Sequence, residues 1–172
     1  MIQYLLAIDP GTRCGWAARP IQETTGMIAG VWELKEGRFE GCGMRIIRLR
    51  SYLNEIAQRL SIASVYFEEV RRHLGVDAAH VYGGITHELM AWCESSSPKV
   101  PYLGIPVATI KKFATGKGNA NKEMMIAAAQ KKWGQLYDDN EADARWIAEC
   151  AAATWKTTKS STAAGGWRKV GT

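Results

Sequence analysis

The chain has 172 residues, with 22 Lys and Arg against 17 Asp and Glu, a formal net charge of +5 and a pI near 9.1. That length holds one domain with a real core, and the basic balance permits binding to a polyanion. No apolar run is long enough to span a membrane and no basic, apolar, small-residue leader is visible, so the expectation is a cytoplasmic protein without membrane association. Cys14, Cys42, Cys93 and Cys150 follow no CxxC or zinc spacing and read as reduced thiols.

Residues 2–8 are mostly apolar and predict a central strand. Residues 13–18 and 27–34, with Gly15, Gly26 and Gly30 nearby, predict two antiparallel strands, a meander from the first. Ile46, Leu49, Leu53, Ile56 and Leu60 recur at spacings of three and four, the mark of an amphipathic helix. Arg45, Arg48, Arg50 and Arg59 fall on its other faces. Residues 64–70 predict a strand. Residues 77–93 predict a helix broken by Gly83 and Gly84, each costing about 1 kcal/mol against Ala, so a packing role is expected. Residues 100–107 predict a proline-interrupted strand and turn. Residues 122–133 and 139–155 predict two helices, with Trp133, Trp146 and Trp155 at core positions. Residues 157–172, rich in Ser, Thr, Gly and Lys and containing Trp167, read as a loose basic tail on a domain of residues 1–156.

A meander followed by alternating strands and helices predicts an α/β domain with a mixed five-stranded sheet and helices on both faces. Asp9 ends the first strand, before the Pro10-Gly11 turn. Glu68 and Glu69 end the parallel neighbour, and Asp138, Asp139, Glu141 and Asp143 open the last helix. Strand ends at one edge of such a sheet are where α/β folds place their sites. Two carboxylates about 4 Å apart repel by roughly 4 kcal/mol at an effective dielectric near 20, a cost that a divalent cation removes. Two Mg2+ ions held by Asp9, Glu68 and Asp143 would activate water, stabilise a leaving oxygen and neutralise a phosphate. Each acid also has an ordinary reading. Asp before Pro-Gly suits a turn, Glu68-Glu69 suits a solvated strand end, and Asp138 with Glu141 suits a capping box. Their joint order and placement favour the metal site.

The same segments resemble the RuvC-type Holliday junction resolvases of the RNase H-like superfamily. Leu-Leu-Ala-Ile-Asp-Pro-Gly-Thr-Arg at 5–13 is similar to the opening strand with its first catalytic Asp, and Val-Tyr-Phe-Glu-Glu-Val at 65–70 to the second motif. The basic segment 110–122 is similar to the third, and Glu-Ala-Asp-Ala-Arg-Trp-Ile-Ala at 141–148 to the last. Four motifs in order over residues 2–153 are a specific signal. The style is nearest to the shorter phage and prophage members.

The resemblance implies an RNase H-like fold and catalytic Asp9, Glu68 (rather than Glu69) and Asp143. It implies two Mg2+ ions, with Mn2+ as a substitute, and hydrolysis leaving 5′-phosphate and 3′-hydroxyl ends. Lys111 and Lys122 are implied as a pair near the scissile phosphate, and the substrate as a four-way DNA junction. Two departures stand out. The metal-facing position three residues before the last Asp is Asn140, with Asp139 on nearly the same helix face as the alternative. The aromatic three residues after the motif-two Glu is replaced by Arg71, which favours a broader substrate range: flaps, forks or RNA–DNA hybrids. A non-catalytic junction-binding module is the other alternative, supported by Asn140.

Lys111, Lys112, Lys117 and Lys122, beside Gly116 and Gly118, read as a DNA-contacting segment, or more plainly as a solvated basic loop. Arg71, Arg72 and His73 would clamp phosphate or form a solvated loop. His80 and His87, seven apart, are not at metal-ligand spacing. Symmetric cutting of a two-fold junction calls for a homodimer, with the Gly83-Gly84 helix as a candidate interface.

Overall fold

The computed structural model describes residues 2–22, 26–71, 75–134 and 138–161. Arg72, His73, Trp167 and most of the expected tail lie outside them. The elements are β1 (Gln3–Asp9), β2 (Arg13–Pro20), β3 (Ile28–Glu33), α1 (Gly43–Arg59), β4 (Ser61–Glu69), α2 (Val76–Ser95), β5 (Tyr102–Pro106), α3 (Val107–Thr115), α4 (Lys122–Trp133) and α5 (Asp139–Ser161). The sheet order is β3-β2-β1-β4-β5. β1 pairs antiparallel with β2 and parallel with β4, β2–β3 is antiparallel and β4–β5 parallel, giving the expected mixed sheet.

Strand alternation divides the apolar side chains between two cores. On β1, Leu6 and Ile8 join Cys14, Ala18, Val65 and Phe67 beneath α1 and α2. Leu5 and Ala7 join Ala17 and Tyr66 on the other face, against α3, α4 and α5. β4 carries one extra residue: Tyr4 pairs with Ile62 but Leu5 with Ser64. Ile62 therefore shares a face with Val65 and Phe67, because the bulge at Ala63 switches the alternation.

α5 lies close to the sheet because its inner row is small. Ala144, Ala148, Ala151 and Ala152 are buried beside Ala7 and Ala17. One row of β2 runs directly under it: Arg13, Gly15, Ala17 and Arg19. Buried Arg19 donates to Glu149 Oε1 at 3.3 Å, and Lys132 reaches Glu149 Oε2 at 3.1 Å from α4. Trp133 and Trp146 pack with ring centroids 4.5 Å apart.

Three local readings change. Residues 107–115, read as part of a basic loop, form helix α3, which starts after Pro106 and ends at Gly116 with φ 81°. The proline favours a helix start and the glycine takes the left-handed exit without a Cβ clash. Gly83 and Gly84 do not break α2, which is continuous, and the expected packing role is not required of them: a Cβ on Gly83 would meet nothing within 4 Å, and one on Gly84 only the Ile46 side chain of α1 at an ordinary 3.6 Å. α5 continues past Trp155 to Ser161, so the first residues of the expected tail are helical.

Candidate active site

Asp9 follows Leu5 and Ala7 in the row of β1 that faces α5, and Glu68 follows Tyr66 in the corresponding row of β4. Glu69 falls in the opposite row, with Val65 and Phe67. There it borders an apolar groove with Tyr82 and Met90 of α2, and pairs with Arg71 at 3.3 Å. Alternation alone thus separates the two neighbouring glutamates. Tyr82 fixes the strand end: its hydroxyl donates to the Glu68 carbonyl at 2.9 Å and accepts from the Val70 N–H at 3.0 Å.

The third carboxylate comes from α5. Asp138 caps the helix, its Oδ1 accepting from the Asn140 N–H at 2.8 Å and from Asn140 Nδ2 at 2.9 Å. Burial works against ionisation of Asp138, but these hydrogen bonds and the charge of Arg13 hold its carboxyl below the ordinary range. Arg13 Nη2 lies 2.5 Å from Asp138 Oδ2, tying the helix start to β2. Only half of the expected capping box forms, because Glu141 turns to Arg145 at 2.8 Å. Asp143, one turn in, then meets the ends of β1 and β4.

The result is a cleft of about 430 Å³ lined by Glu68, Asp143, Asp139, Asn140, Lys111 and Lys122, with Arg13 and Asn121 at its sides. Burial, then the charges of Glu68 and Asp143, push the Asp9 carboxyl up to about 8. Burial and Asp139 push Asp143 up to about 6 against the pull of Lys122 and Lys111. Burial and Asp143 raise Glu68, with Lys111 opposing. Such elevation marks anionic groups whose burial and mutual repulsion outweigh the charges of Lys111 and Lys122.

Among the described residues, no three His, Cys, Asp or Glu side chains close tightly enough on one point to form a complete ion cage. The donor set nonetheless fits a hard divalent cation in kind: oxygen ligands only, with Glu68 and Asp143 lining a cleft roomy enough for water and Asp9 within charge range of both at the neighbouring strand end. Asp139 is held by Lys122 Nζ at 2.6 Å, and the Asn140 side chain by Asp138.

The structure thus gathers Asp9, Glu68, Asp143, Asp139, Asn140, Lys111 and Lys122. It leaves Arg71 with Glu69 on the other face, and Lys112 and Lys117 exposed outside the cleft lining. Sequence reasoning missed Arg13, Asn121 and Tyr82. Arg13 was accessible from strand alternation, two residues before Gly15. Asn121 was accessible as the N-cap of α4, where its Oδ1 accepts from the Met124 N–H at 3.0 Å.

No protein-family model and no curated protein matches the sequence. Solved structures do match in shape. A Thermus thermophilus RuvC in complex with a Holliday junction substrate superposes with a TM-score of 0.75 at 20% identity, over 92% of this chain and 97% of that one. Another Thermus thermophilus RuvC structure gives 0.70 at 21%, over 90% and 97%. The yeast mitochondrial Holliday junction resolvase Ydc2 gives 0.62 at 15%, over 91% and 82%. The mixed five-stranded sheet with helices on both faces is therefore the RNase H-like fold of these RuvC-type resolvases.

Proposed function

We propose that the chain is a Mg2+-dependent endonuclease that resolves four-way DNA junctions. The observation that carries this reading is the meeting of Asp9, Glu68 and Asp143, partly buried and raised in pKa, beside Lys111 and Lys122. The shared fold with RuvC and Ydc2 supports it.

Asp9, Glu68 and Asp143, with Asn140 or Asp139 as the fourth donor, would hold two Mg2+ ions. Bound there, the ions supply an activated water, leaving-group stabilisation and charge neutralisation for in-line phosphodiester hydrolysis. Asp9 and Glu68 sit on paired parallel strands, so their spacing is rigid. Lys111 and Lys122 hold the strand by its phosphates, and Lys122 exchanges Asp139 for phosphate as DNA enters. The products carry 5′-phosphate and 3′-hydroxyl ends. The nuclease domain is residues 1–156, followed by the basic Ser, Thr and Gly-rich segment 157–172. Two symmetric cuts require two sites, so the working unit is a homodimer.

The test is a labelled synthetic four-way junction beside duplex, flap and RNA–DNA hybrid substrates, with Mg2+, with EDTA and with D9N protein. Paired symmetric nicks on the junction alone, absent in EDTA and in D9N, are expected. Equal cutting of flaps or hybrids would replace junction resolution by a broader structure-selective nuclease. Tight junction binding with no cutting would leave a binding module.

A further inference from the structure

The loop between β3 and α1 presents Phe39 with 93% of its surface exposed, more than any other large apolar side chain among the described residues. A single exposed apolar residue is ordinary. The construction beneath this one is not. Arg45 Nη2 of α1 reaches Glu36 Oε2 at 2.6 Å. Arg48 reaches Glu40 Oε2 at 2.6 Å and the Lys35 carbonyl at 2.9 Å. The Gly37 N–H donates to Glu40 Oε2 at 2.6 Å, and the Glu40 N–H to the Gly37 carbonyl at 3.1 Å. Both acids of the loop are thereby turned inward to the arginines of α1. The tip carries Phe39 with the Arg38 guanidinium 5.4 Å from its ring centroid.

The loop also starts at the edge of the sheet that holds the cleft. Glu33 at the end of β3 pairs with Arg13, which lines the cleft, and the Leu34 N–H donates to the Thr12 carbonyl at 2.9 Å. β3 lies two strands from β1, about 10 Å. That is about three base steps of about 3.4 Å. A DNA strand with a phosphate at the carboxylates and running toward β3 would pass the base of this loop.

We propose that Phe39 and Arg38 form a nucleobase-stacking site, in which Phe39 stacks on a base splayed from the branch point and Arg38 contacts the adjoining phosphate. This rests on the nuclease reading above. A planar apolar ring recognises any base by its face, and a loop already cross-linked loses little freedom on stacking.

The experiment uses full-length protein in EDTA and a four-way junction carrying 2-aminopurine at its branch point. Wild-type protein is expected to change the probe's fluorescence on binding. F39A should lose that change and bind the junction roughly tenfold more weakly, consistent with the loss of one base stack. F39W should retain both, and affinity for plain duplex should be equal in all three. F39A with wild-type fluorescence and affinity would overturn the assignment and give the loop to a protein partner. A fall of several degrees in the melting temperature of F39A would also overturn it, showing that the ring packs rather than waits. Wild-type protein that binds no branched DNA would overturn the proposed function itself, a result visible before any variant is compared.

Discussion

A Cβ placed on Gly15 of β2 would stand 2.0 Å from the main-chain oxygen of Asn140 and 3.3 Å from the Ala144 Cβ. No rotamer relieves a clash between Cβ and backbone. The first turn of α5 reaches its place over β1 only because this strand position has no side chain. G15A is expected to push that turn outward, costing about 2 kcal/mol or more in stability. Asp143 would be displaced from Asp9, so cleavage should fall further than the folded fraction explains. Urea unfolding with single-turnover cleavage checks this; wild-type values for both would refute the packing account.

Asp9 has a folded pKa of about 8 against an ordinary value of 3.8. Between those values the folded chain keeps a proton that the unfolded chain has lost. The contribution of Asp9 to metal-free stability is therefore fully present below about pH 4, declines as pH rises and is gone above about pH 8. Asp143, with a folded value of about 6, follows the same sign over a narrower window. D9N removes the larger part. In EDTA at pH 8 it should melt several degrees above wild type, and the two should converge below pH 4. Mg2+ should raise the melting point of wild type at pH 8 and have little effect on D9N. Thermal scans across pH decide it; D9N melting no higher than wild type at pH 8 contradicts the argument.

Glu68 and Glu69 are chemically identical neighbours on opposite faces. E68Q is expected to lower junction cleavage at least about a hundredfold. E69Q should stay within a few-fold of wild type, since Glu69 faces Arg71 and α2. Parallel rate measurements with both variants test the alternation directly, and an equal loss in both would refute it.

Lys122 bridges from α4 to Asp139 across the cleft, and that pairing raises its pKa. If it contacts a phosphate in the complex, K122A should reduce the salt dependence of junction binding by about one unit of slope. K112A, outside the cleft lining, should leave the cleavage rate nearly unchanged. Binding titrations over a range of salt, with rates at saturation, separate the two.

Arg19 is buried against Glu149, which it shares with Lys132. E149Q leaves a desolvated guanidinium without its counter-charge, at an expected cost of about 3 kcal/mol. Glu149 lies six residues beyond Asp143 on α5 and outside the cleft lining, so cleavage per folded molecule should be kept. Denaturation curves and active-site titration measure both; a neutral substitution would mean that Arg19 is solvated.

Much of this was readable before folding. Asp9, Glu68 and Asp143 each lie at or near the end of an element with strong periodicity. Helix α3 was not readable. Its nine residues offer Ile110 as their only fully buried side chain, and its lysines resemble a loop. The pairs that fix α5 were hidden for another reason. Arg13 and Asp138 are 125 residues apart, Arg19 and Glu149 are 130 apart, and no local pattern encodes such partners. Phe39 carries no signal in the sequence, because exposure is a property of the fold, not of the residue.

The bulge at Ala63 gives the chain a form of proofreading. Beyond it, one alternation sends Val65 and Phe67 into one core and Tyr66 and Glu68 to the opposite face. A strand that paired one residue out of phase would swap Glu69 for Glu68 and, in the same step, turn Val65 and Phe67 away from α1 and α2. The error that disables the carboxylates also dismantles the packing, so misregistered chains remove themselves from the folded population, and molecules that survive carry Glu68 beside Asp9.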